Sequence, residues 1–182
     1  MINDLFSMAG KVCVVTGGSS GLGSYMAQGF LEAGASRVYI TARSADRLHA
    51  KARELSAVAA GECIGLPGDL ESLNGVHALS EDIHDREDHI NVLVNNAGVG
   101  TGGPFDDITE GQWDEAMDLN LKSPFFLTQA LHDLLKAKAI GRRGMKNVEG
   151  YELRERQSPY NRVFDPEKCS LRLKNDHLWQ VS

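Results

Sequence analysis

Short runs of apolar, mostly β-branched residues alternate along the first 140 residues with longer segments in which apolar residues return every three or four positions. A short continuous apolar run is typical of a strand that is buried on both faces of a parallel sheet. Apolar residues at the longer spacing form one face of a helix that packs on such a sheet. The pattern therefore predicts strands and helices in alternation, as in an α/β fold built from right-handed crossovers.

Four strands are predicted, at residues 11–16, 37–41, 62–66 and 90–94. The first three are followed by helices that begin near residues 22, 45 and 76. Four strands with their helices supply about half of a doubly wound sheet. We therefore expect a Rossmann-like parallel sheet that is incomplete, with an unpaired edge at the fourth strand.

The helix after the fourth strand has the clearest start. Thr109 and Gln112 stand at capping-box spacing, and Ile108 and Trp113 are placed around them as a hydrophobic staple. The helical pattern then continues to about residue 139. Pro124 lies inside it and is expected to bend the helix, because proline has no backbone N–H to donate.

The composition changes abruptly near residue 140. Residues 1–140 carry ten lysines and arginines against nineteen aspartates and glutamates, a formal charge of −9, and hold all seventeen alanines. Residues 141–182 carry nine against six, a charge of +3, and no alanine. Such a break marks a boundary. We expect one domain over residues 1–140 and a divergent, irregular and poorly ordered tail over residues 141–182.

The composition also excludes several classes of protein. Apolar residues make up 42% of the 182 residues and charged residues 24%, as in a soluble globular protein. No stretch of about 18 apolar residues occurs, so we expect no membrane span and no membrane partner. The formal net charge of −6 argues against nucleic acid as a partner.

Cysteine usage argues against a metal site and against a disulfide framework. Cys13, Cys63 and Cys169 are scattered, with no Cys-x-x-Cys pair and no histidine at metal-ligand spacing. Cys13 and Cys63 fall in predicted strands, where a thiol behaves as a small apolar group. We predict inert buried thiols, no metal, and a reducing cytoplasmic location, since no basic and apolar leader is visible at the start of the sequence.

A glycine-rich turn joins the first predicted strand to the first helix, with the sequence Thr-Gly-Gly-Ser-Ser-Gly-Leu-Gly over residues 16–23. Glycines let the backbone turn tightly and approach a pyrophosphate, and the start of a helix offers free N–H groups. Ser19 and Ser20 add hydroxyl donors. The order of strand, turn and helix therefore indicates a dinucleotide-binding loop rather than an ordinary flexible turn.

The end of the second strand indicates which dinucleotide binds. An aspartate or glutamate there would accept a hydrogen bond from the ribose 2′-hydroxyl of NAD, whereas an arginine accommodates the 2′-phosphate of NADP. The sequence over residues 41–44 is Thr-Ala-Arg-Ser, with no acid. Arg43, together with Ser44 or Arg47, favours NADP(H). The alternative is that Arg43 is an ordinary solvated charge at the start of a helix.

Several motifs together resemble the short-chain dehydrogenase/reductase family. They are the Thr-Gly-x-x-x-Gly-x-Gly turn at 16–23, Asp69 after the third strand, Asn-Asn-Ala-Gly at 95–98, and Asn120 in the next helix. Their spacing is that of the family over about residues 5–139, and the sequence is most similar to members that resemble 3-oxoacyl-carrier-protein reductases. The resemblance implies reversible interconversion of a carbonyl and an alcohol with NADP(H), on a small-molecule substrate.

The resemblance also implies a role for each matching residue. Those that would line the pyrophosphate are Gly17, Ser19, Ser20, Leu22 and Gly23. Those that would surround the adenosine and lead to the nicotinamide are Arg43 at the 2′-phosphate, Asp69 and Leu70 at the adenine, and Asn95, Ala97 and Gly98 beneath the ribose. Asn120 matches the active-site asparagine of the family, and Lys122 would approach the cofactor.

The other catalytic residues of the family are not found. The family donates a proton from a tyrosine whose pKa is lowered by a lysine four residues later, while a serine holds the substrate oxygen. Beyond Asn120 the tyrosines are Tyr151 and Tyr160, and the residues four positions later are Glu155 and Phe164. We therefore assign no catalytic serine, tyrosine or lysine.

Two hypotheses follow for the function of this chain. In the first, it is a truncated and catalytically impaired family member, in which a frameshift, a retained intron or a gene-model error replaces the sequence after about residue 140, as the composition break indicates. In the second, it is a non-catalytic nucleotide-binding or regulatory module. A nucleic-acid arm in the tail is disfavoured, because its charges alternate in sign. The resemblance implies that the intact form is a homo-oligomer.

Overall fold

Four strands form one parallel sheet, in the order β3-β2-β1-β4. They are β1 (Val12–Thr16), β2 (Arg37–Ala42), β3 (Glu62–Pro67) and β4 (Val92–Val94). The computed structural model describes residues 6–100, 102–143, 162–165 and 170–173, and the chain divides into two compact units, Met1–Gly144 and Met145–Ser182. The sheet lies in the first unit and confirms the predicted Rossmann-like fold. β4 is two residues shorter than its apolar run predicts.

Helices cover both faces of this sheet. α1 (Gly21–Glu32) and α2 (Ala45–Ser56) pack on one face, and α3 (Leu73–His84) packs on the other. Successive residues of a strand point to opposite faces, so β1 contributes to both cores. Cys13 and Val15 join Leu31 and Leu48 beneath the first pair of helices, whereas Val14 joins the core on the opposite side.

The long predicted helix is divided into three helices and an irregular turn. They are α4 (Glu110–Met117), a π-helical turn (Asp118–Lys122), α5 (Ser123–Ala130) and α6 (His132–Arg143). The predicted capping box is present, because Thr109 Oγ1 accepts from the Gln112 N–H at 3.3 Å and Gln112 Oε1 accepts from the Thr109 N–H at 2.9 Å. The irregular turn ends two residues before Pro124, which has no backbone N–H to donate.

α5 and α6 complete the core on the α3 side of the sheet. Leu127, Leu131 and Leu134 are buried with Ile83 of α3 against β1. Ile90, which precedes β4, is fully buried, and its N–H donates to the carbonyl of Leu134 at 3.1 Å. The helices after β4 are thereby fixed to the start of that strand.

The second unit contains two described strands, β5 (Arg162–Asp165) and β6 (Ser170–Leu173), which pair in antiparallel fashion. The brief alternation of Leu171 and Leu173 in the sequence falls in β6. Residues 141–143 of the predicted tail belong to α6, and apart from these, β5 and β6, the tail lies outside the described residues. Across the described part of the chain, no helix has both the length and the apolar character needed to cross a membrane.

Candidate functional site

A cleft of about 310 Å³ opens where the loops after the four parallel strands meet. The strand order reverses between β1 and β4, and open α/β sheets bind their ligands at such a reversal. Nine of the predicted site residues line the cleft: Gly17, Ser19, Ser20, Arg43, Ser44, Asp69, Leu70, Ala97 and Gly98. Arg47 lines it as well. The lining residues that the sequence did not single out are Thr41, Ala42, Gly68, Glu71, Asn96, Val99 and Leu119.

The loop from β1 to α1 depends on glycine because its backbone packs against neighbouring backbone. Gly17 has a φ of +68°, in the left-handed region that favours glycine. A side chain at Gly17 would lie 3.0 Å from Cα of Ala97. One at Gly23 would overlap the carbonyl oxygen of Gly17 and lie 2.6 Å from Nδ2 of Asn96. The glycines therefore let this loop close on the loop after β4.

Asn96 and Thr16 fasten the two loops together. Asn96 Nδ2 donates to the carbonyls of Thr16 at 2.9 Å and Gly17 at 3.3 Å. In return, Thr16 Oγ1 accepts from the backbone N–H groups of Asn96 and Ala97, both at 2.9 Å. Thr16 is itself buried. This network fixes the floor of the cleft, and Asn96 is its centre.

The side chain of Asn95 is directed towards α5 and not towards the cleft. Its Nδ2 donates to Thr128 Oγ1 at 3.1 Å, and that hydroxyl donates to the carbonyl of Pro124 at 2.6 Å. Asn95 therefore joins the end of β4 to α5 and does not line the cleft. The expectation that it lies beneath the ribose gains no support from this placement.

Asn120 lies in the π-helical turn, and both polar atoms of its side chain are engaged by Val99. Oδ1 accepts from the Val99 N–H at 2.9 Å, and Nδ2 donates to the Val99 carbonyl at 2.7 Å. Its Oδ1 also leaves no space for a side chain at Gly98, whose Cβ would lie 2.8 Å away. The Asn120 side chain therefore braces the loop after β4 instead of lining the cleft.

The backbone of Asn120 is affected by Pro124. In a regular α-helix the N–H of residue 124 would donate to the carbonyl of residue 120, and proline has no such donor. In the turn itself, the Ser123 N–H donates to the carbonyl of Asp118, one residue further back than in an α-helix. The chain thus places an asparagine at a point where the helical hydrogen bonding changes.

Three other predicted residues lie outside the cleft lining. Lys122 pairs with Asp118 through Nζ and Oδ1 at 3.0 Å, along the same turn. Leu22 is 71% exposed in the first turn of α1, and Gly23 is buried beneath the glycine loop. Gly23 thus acts on the cleft through the shape of the loop.

Arg43 faces an acid across the cleft. Its Nη1 lies 2.6 Å from Oε1 of Glu71, and both side chains line the cleft. Asp69 Oδ1 accepts from the backbone N–H of Glu71 at 3.1 Å. The carboxyl of Asp69 thereby shapes the turn that carries Glu71. Sequence reasoning missed Glu71, and its only signal was an acid two residues after Asp69.

One buried polar atom in the cleft wall has no partner. Thr41 is 1% exposed, and its Oγ1 makes no hydrogen bond within the described residues. A side chain at Gly68 would lie 3.5 Å from this atom. A buried unpaired hydroxyl is costly and is commonly satisfied by water or a ligand. Thr41 Oγ1 is therefore a hydrogen-bonding group in the cleft wall that the described residues leave unused.

The two described thiols are inert, as predicted. Burial raises the pKa of Cys13 to about 11, and burial with the nearby Glu62 carboxylate raises the pKa of Cys63 to about 12. Neither is therefore a thiolate near neutral pH. No group of three or more histidine, cysteine, aspartate or glutamate side chains suited to a metal ion occurs in the described ranges.

The described tyrosines lie away from the cleft. Tyr25 is 71% exposed on α1. Tyr39 is buried, and its hydroxyl donates to Oε1 of Glu87 at 2.7 Å. Tyr151 and Tyr160 fall outside the described residues.

A parallel sheet with a glycine loop, a polar cleft at its carboxyl edge and an arginine after β2 defines a dinucleotide-binding α/β domain. Residues 11–143 match the family described as short chain dehydrogenase. The chain therefore belongs to the short-chain dehydrogenase family.

Individual relatives show how far the similarity extends. Over 134 residues the chain is 41% identical to the rhamnolipids biosynthesis 3-oxoacyl-[acyl-carrier-protein] reductase of Pseudomonas aeruginosa, covering 74% of this chain and 51% of that protein. It is 37% identical to the 2-dehydro-3-deoxy-D-gluconate 5-dehydrogenase of Escherichia coli over 134 residues, covering 71% and 50%. The chain thus spans about half the length of these curated relatives.

Solved structures of relatives also match the chain over about half of their own length. The RhlG/NADP active-site complex of Pseudomonas aeruginosa is 40% identical with a TM-score of 0.69, covering 72% of this chain and 50% of that one. The L-sorbose reductase of Gluconobacter frateurii, complexed with NADPH and L-sorbose, is 31% identical with a TM-score of 0.69, covering 73% and 50%.

Proposed function

We propose that this chain forms the NADP(H)-binding part of a short-chain oxidoreductase that interconverts a carbonyl and an alcohol on a small-molecule substrate. The observation that carries the proposal is Arg43, which follows β2 where an NAD-binding domain carries an acid and which lines the cleft beside Arg47. The relatives solved with NADP and NADPH support the same cofactor.

The residues of the cleft fit such a dinucleotide. The glycine loop and the start of α1 offer backbone N–H groups to a pyrophosphate, with Ser19 and Ser20 beside them. Arg43 and Ser44 would hold the 2′-phosphate.

The remaining parts of the cofactor would meet the loops after β3 and β4. Asp69 and Leu70 would flank the adenine, and Ala97 and Gly98 would lie along the ribose and lead towards the nicotinamide. The cofactor, when bound, supplies the hydride. Asn120 would contribute by holding Val99, and so the path of that loop, in place.

Catalysis by this chain alone is expected to be impaired. No tyrosine in the 182 residues is followed four positions later by a lysine. Without that pair, no phenol of lowered pKa is available to give the substrate a proton. The composition break near residue 140 supports the hypothesis that the chain is truncated, because it marks a point after which the sequence would no longer be that of the family.

A second candidate function is a non-catalytic nucleotide-binding or regulatory module. The same missing tyrosine and lysine favour it, together with a glycine loop whose packing is intact. The two candidates differ in whether the substrate-reducing residues are encoded next to this sequence. Translation of the DNA downstream of codon 140 in all three frames would reveal a further strand, a serine and Tyr-x-x-x-Lys if the chain is truncated, and none if it is a module.

Two further observations support our proposal for the compartment and the oligomeric state of the intact protein. The free thiols Cys13 and Cys63 suit a reducing cytoplasmic compartment. Trp113, Leu121 and Phe125 are each more than half exposed along α4, the π-helical turn and α5. Exposed apolar side chains grouped on consecutive elements favour a contact between subunits, and therefore a homo-oligomer.

Thermal unfolding with each cofactor tests the proposal. NADPH is expected to raise the unfolding temperature more than NADH, because a ligand that binds the folded state stabilises it by mass action. Arg43→Gln should remove most of the difference. Arg53→Gln, an exposed arginine on α2 outside the cleft, is the matched control and should preserve it. Absence of any shift with either cofactor would overturn the proposal. Consumption of NADPH with a panel of ketones is expected to stay at the buffer rate.

A further inference from the structure

The cleft contains an ion pair that competes with its own predicted ligand. Arg43 Nη1 and Glu71 Oε1 are 2.6 Å apart and form a single hydrogen bond. The Arg43 side chain is 66% exposed and that of Glu71 31% exposed. The guanidinium that would hold a 2′-phosphate is therefore already paired with a carboxylate on the opposite wall.

Glu71 is held in this position by the turn that carries it. The Gly68 N–H donates to the carbonyl of Ala42 at 3.2 Å, which ties the end of β3 to the end of β2. Asp69 Oδ1 accepts from the Glu71 N–H at 3.1 Å. Ser72 then caps α3 by accepting from the Gly75 N–H at 3.1 Å. The carboxylate thus belongs to a backbone fixed on both sides.

The charges around the cleft cancel because of Glu71. The charged side chains that line it are Arg43, Arg47, Asp69 and Glu71, two of each sign. A phosphate monoester carries a charge of roughly −1.5 to −2 at neutral pH, whereas a ribose hydroxyl carries none. Glu71 therefore opposes the one group by which NADP(H) differs from NAD(H).

We propose that Glu71 is a specificity-determining residue that neutralises Arg43 and so narrows the preference of this site for NADP(H) over NAD(H). The inference rests on the proposed function, since it concerns the same cleft. When NADP(H) binds, its 2′-phosphate must draw Arg43 away from Glu71 and then lie near the Glu71 carboxylate. A cofactor without that phosphate leaves the pair intact.

The opposite effect, in which Glu71 aligns Arg43 for the phosphate, is weaker on physical grounds. An exposed ion pair with one contact restrains a long side chain only slightly. By pairing with Arg43, the carboxylate also cancels the positive charge that attracts the phosphate, and so slight a restraint does not offset that loss. The two effects have opposite signs, so a single substitution separates them.

The test is Glu71→Gln, which keeps the size of the side chain and removes its charge. Direct titration of the full chain with NADPH and with NADH gives a Kd for each. The Kd for NADPH is expected to fall about tenfold, which corresponds to about 1.4 kcal/mol, and that for NADH to change by less than about twofold. The gain should shrink at high salt, because the charges face solvent.

Glu54→Gln is the matched control. Glu54 pairs with Lys51 at 2.7 Å on α2, is exposed, and does not line the cleft. The Glu54→Gln substitution removes one negative charge from an ion pair, as Glu71→Gln does. It therefore tests whether a change in net charge alone alters the affinity for NADPH or NADH. Neither Kd should move by more than about twofold.

A double-mutant cycle with Arg43→Gln shows whether Glu71 acts through Arg43. In the Arg43→Gln background, Glu71→Gln should improve NADPH binding by clearly less than in the native chain, because the phosphate is no longer drawn to that side. An unchanged or raised Kd for NADPH in Glu71→Gln overturns the inference, as does an equal fall for both cofactors. If the native chain binds neither cofactor, the proposed function fails instead, which is a distinguishable result.

Discussion

At the scale of single residues, glycine serves two separate purposes in α1. Gly23 is buried where its Cα approaches the carbonyl oxygen of Gly17, so any side chain there would displace backbone. Gly29, two turns later, is exposed and has open space around it. Glycine is required at Gly23 because neighbouring backbone approaches closely, whereas at Gly29 it only lowers the helix propensity.

Alanine at these two positions should therefore have opposite effects. Gly23→Ala is expected to lower the free energy of unfolding by about 1–3 kcal/mol through overpacking. Gly29→Ala is expected to raise it by about 0.5–1 kcal/mol, because alanine favours the helix. Urea denaturation of each variant measures both. Changes of the same sign would contradict the packing of the loop.

A buried carboxylate holds the base of β2. Glu87 is 7% exposed; it accepts from the hydroxyl of Tyr39 at 2.7 Å and pairs with Nε of Arg37 at 2.9 Å. Burial, and then the hydrogen bond to Glu87, raise the pKa of Tyr39 well above its usual range. Tyr39 is therefore a structural phenol, and its chemistry is opposite to that of a tyrosine tuned to give up a proton.

The residues that the sequence did not reveal are those whose partners are distant along the chain. Asn96 stood in a recognised motif, but its bonds to Thr16 and Gly17 span about 80 residues. Glu71 meets Arg43 from 28 residues away. Local patterns predict helices and caps because they depend on neighbours in sequence, whereas such pairings depend on which strands become adjacent.

At the scale of elements, one histidine joins α3 to α6. His84 Nδ1 lies 2.7 Å from the carbonyl of Ser80, and its Nε2 lies 3.0 Å from Oδ1 of Asp133. Both ring nitrogens thus face acceptors, which suits the doubly protonated ring. The Ser80 carbonyl, and after it the Asp133 carboxylate, raise the pKa of His84 above its ordinary value.

The contribution of this histidine should depend on pH. Because its pKa is raised on folding, its stabilising effect is full below the unfolded pKa and is lost as the pH rises through the folded pKa. His84→Gln should cost up to about 1 kcal/mol near pH 5.5, since the pair is partly exposed, and less near pH 9. Urea denaturation at both values measures the change.

His77→Gln is the matched control for that experiment. His77 is exposed on the same helix, and its ring makes no hydrogen bond within the described residues. His77→Gln should cost less stability than His84→Gln near pH 5.5, because it removes no hydrogen bond between α3 and α6. A cost of His84→Gln that grew with rising pH would contradict the assigned protonation.

The predicted elements succeed where one local signal determines them. Thr109 and Gln112 gave the start of α4 because a capping box needs only four residues. The continuous apolar pattern after it did not reveal the breaks at 118–122 and before His132. The spacing of apolar residues shows which face of a helix is buried. A π-helical turn adds only one residue to that spacing, so the apolar pattern hardly changes where the helix is interrupted.

At the scale of the whole molecule, β4 is the edge strand of the parallel sheet in the part of the chain that the structure describes. Within the described residues β4 pairs with β1 and has no neighbour on its other side. All three of its residues are half-buried. The Asn91 N–H donates to the carbonyl of Val12 at 2.8 Å, so the alternation of parallel pairing turns the N–H of Val92 away from β1.

Hydrogen exchange should record this edge directly. The amide of Val92 is expected to exchange with solvent deuterium ~100-fold faster than that of Val14 in the central strand, because it lacks a ladder partner. Val38 of β2, which has a strand on each side, is the internal reference. Two-dimensional NMR after transfer to D₂O gives the three rates. Equal protection of Val92 would mean that another segment or chain covers the edge.

The hydrogen bonds from Asn96 to the glycine loop also have a consequence for synthesis. The ribosome makes the loop first and supplies the residue that locks it 80 positions later. At about 5–20 residues per second, several seconds separate the two events. During that interval the glycine loop lacks its hydrogen bonds to Asn96. The nucleotide site can therefore be complete only after the ribosome has translated β4 and the loop that follows it.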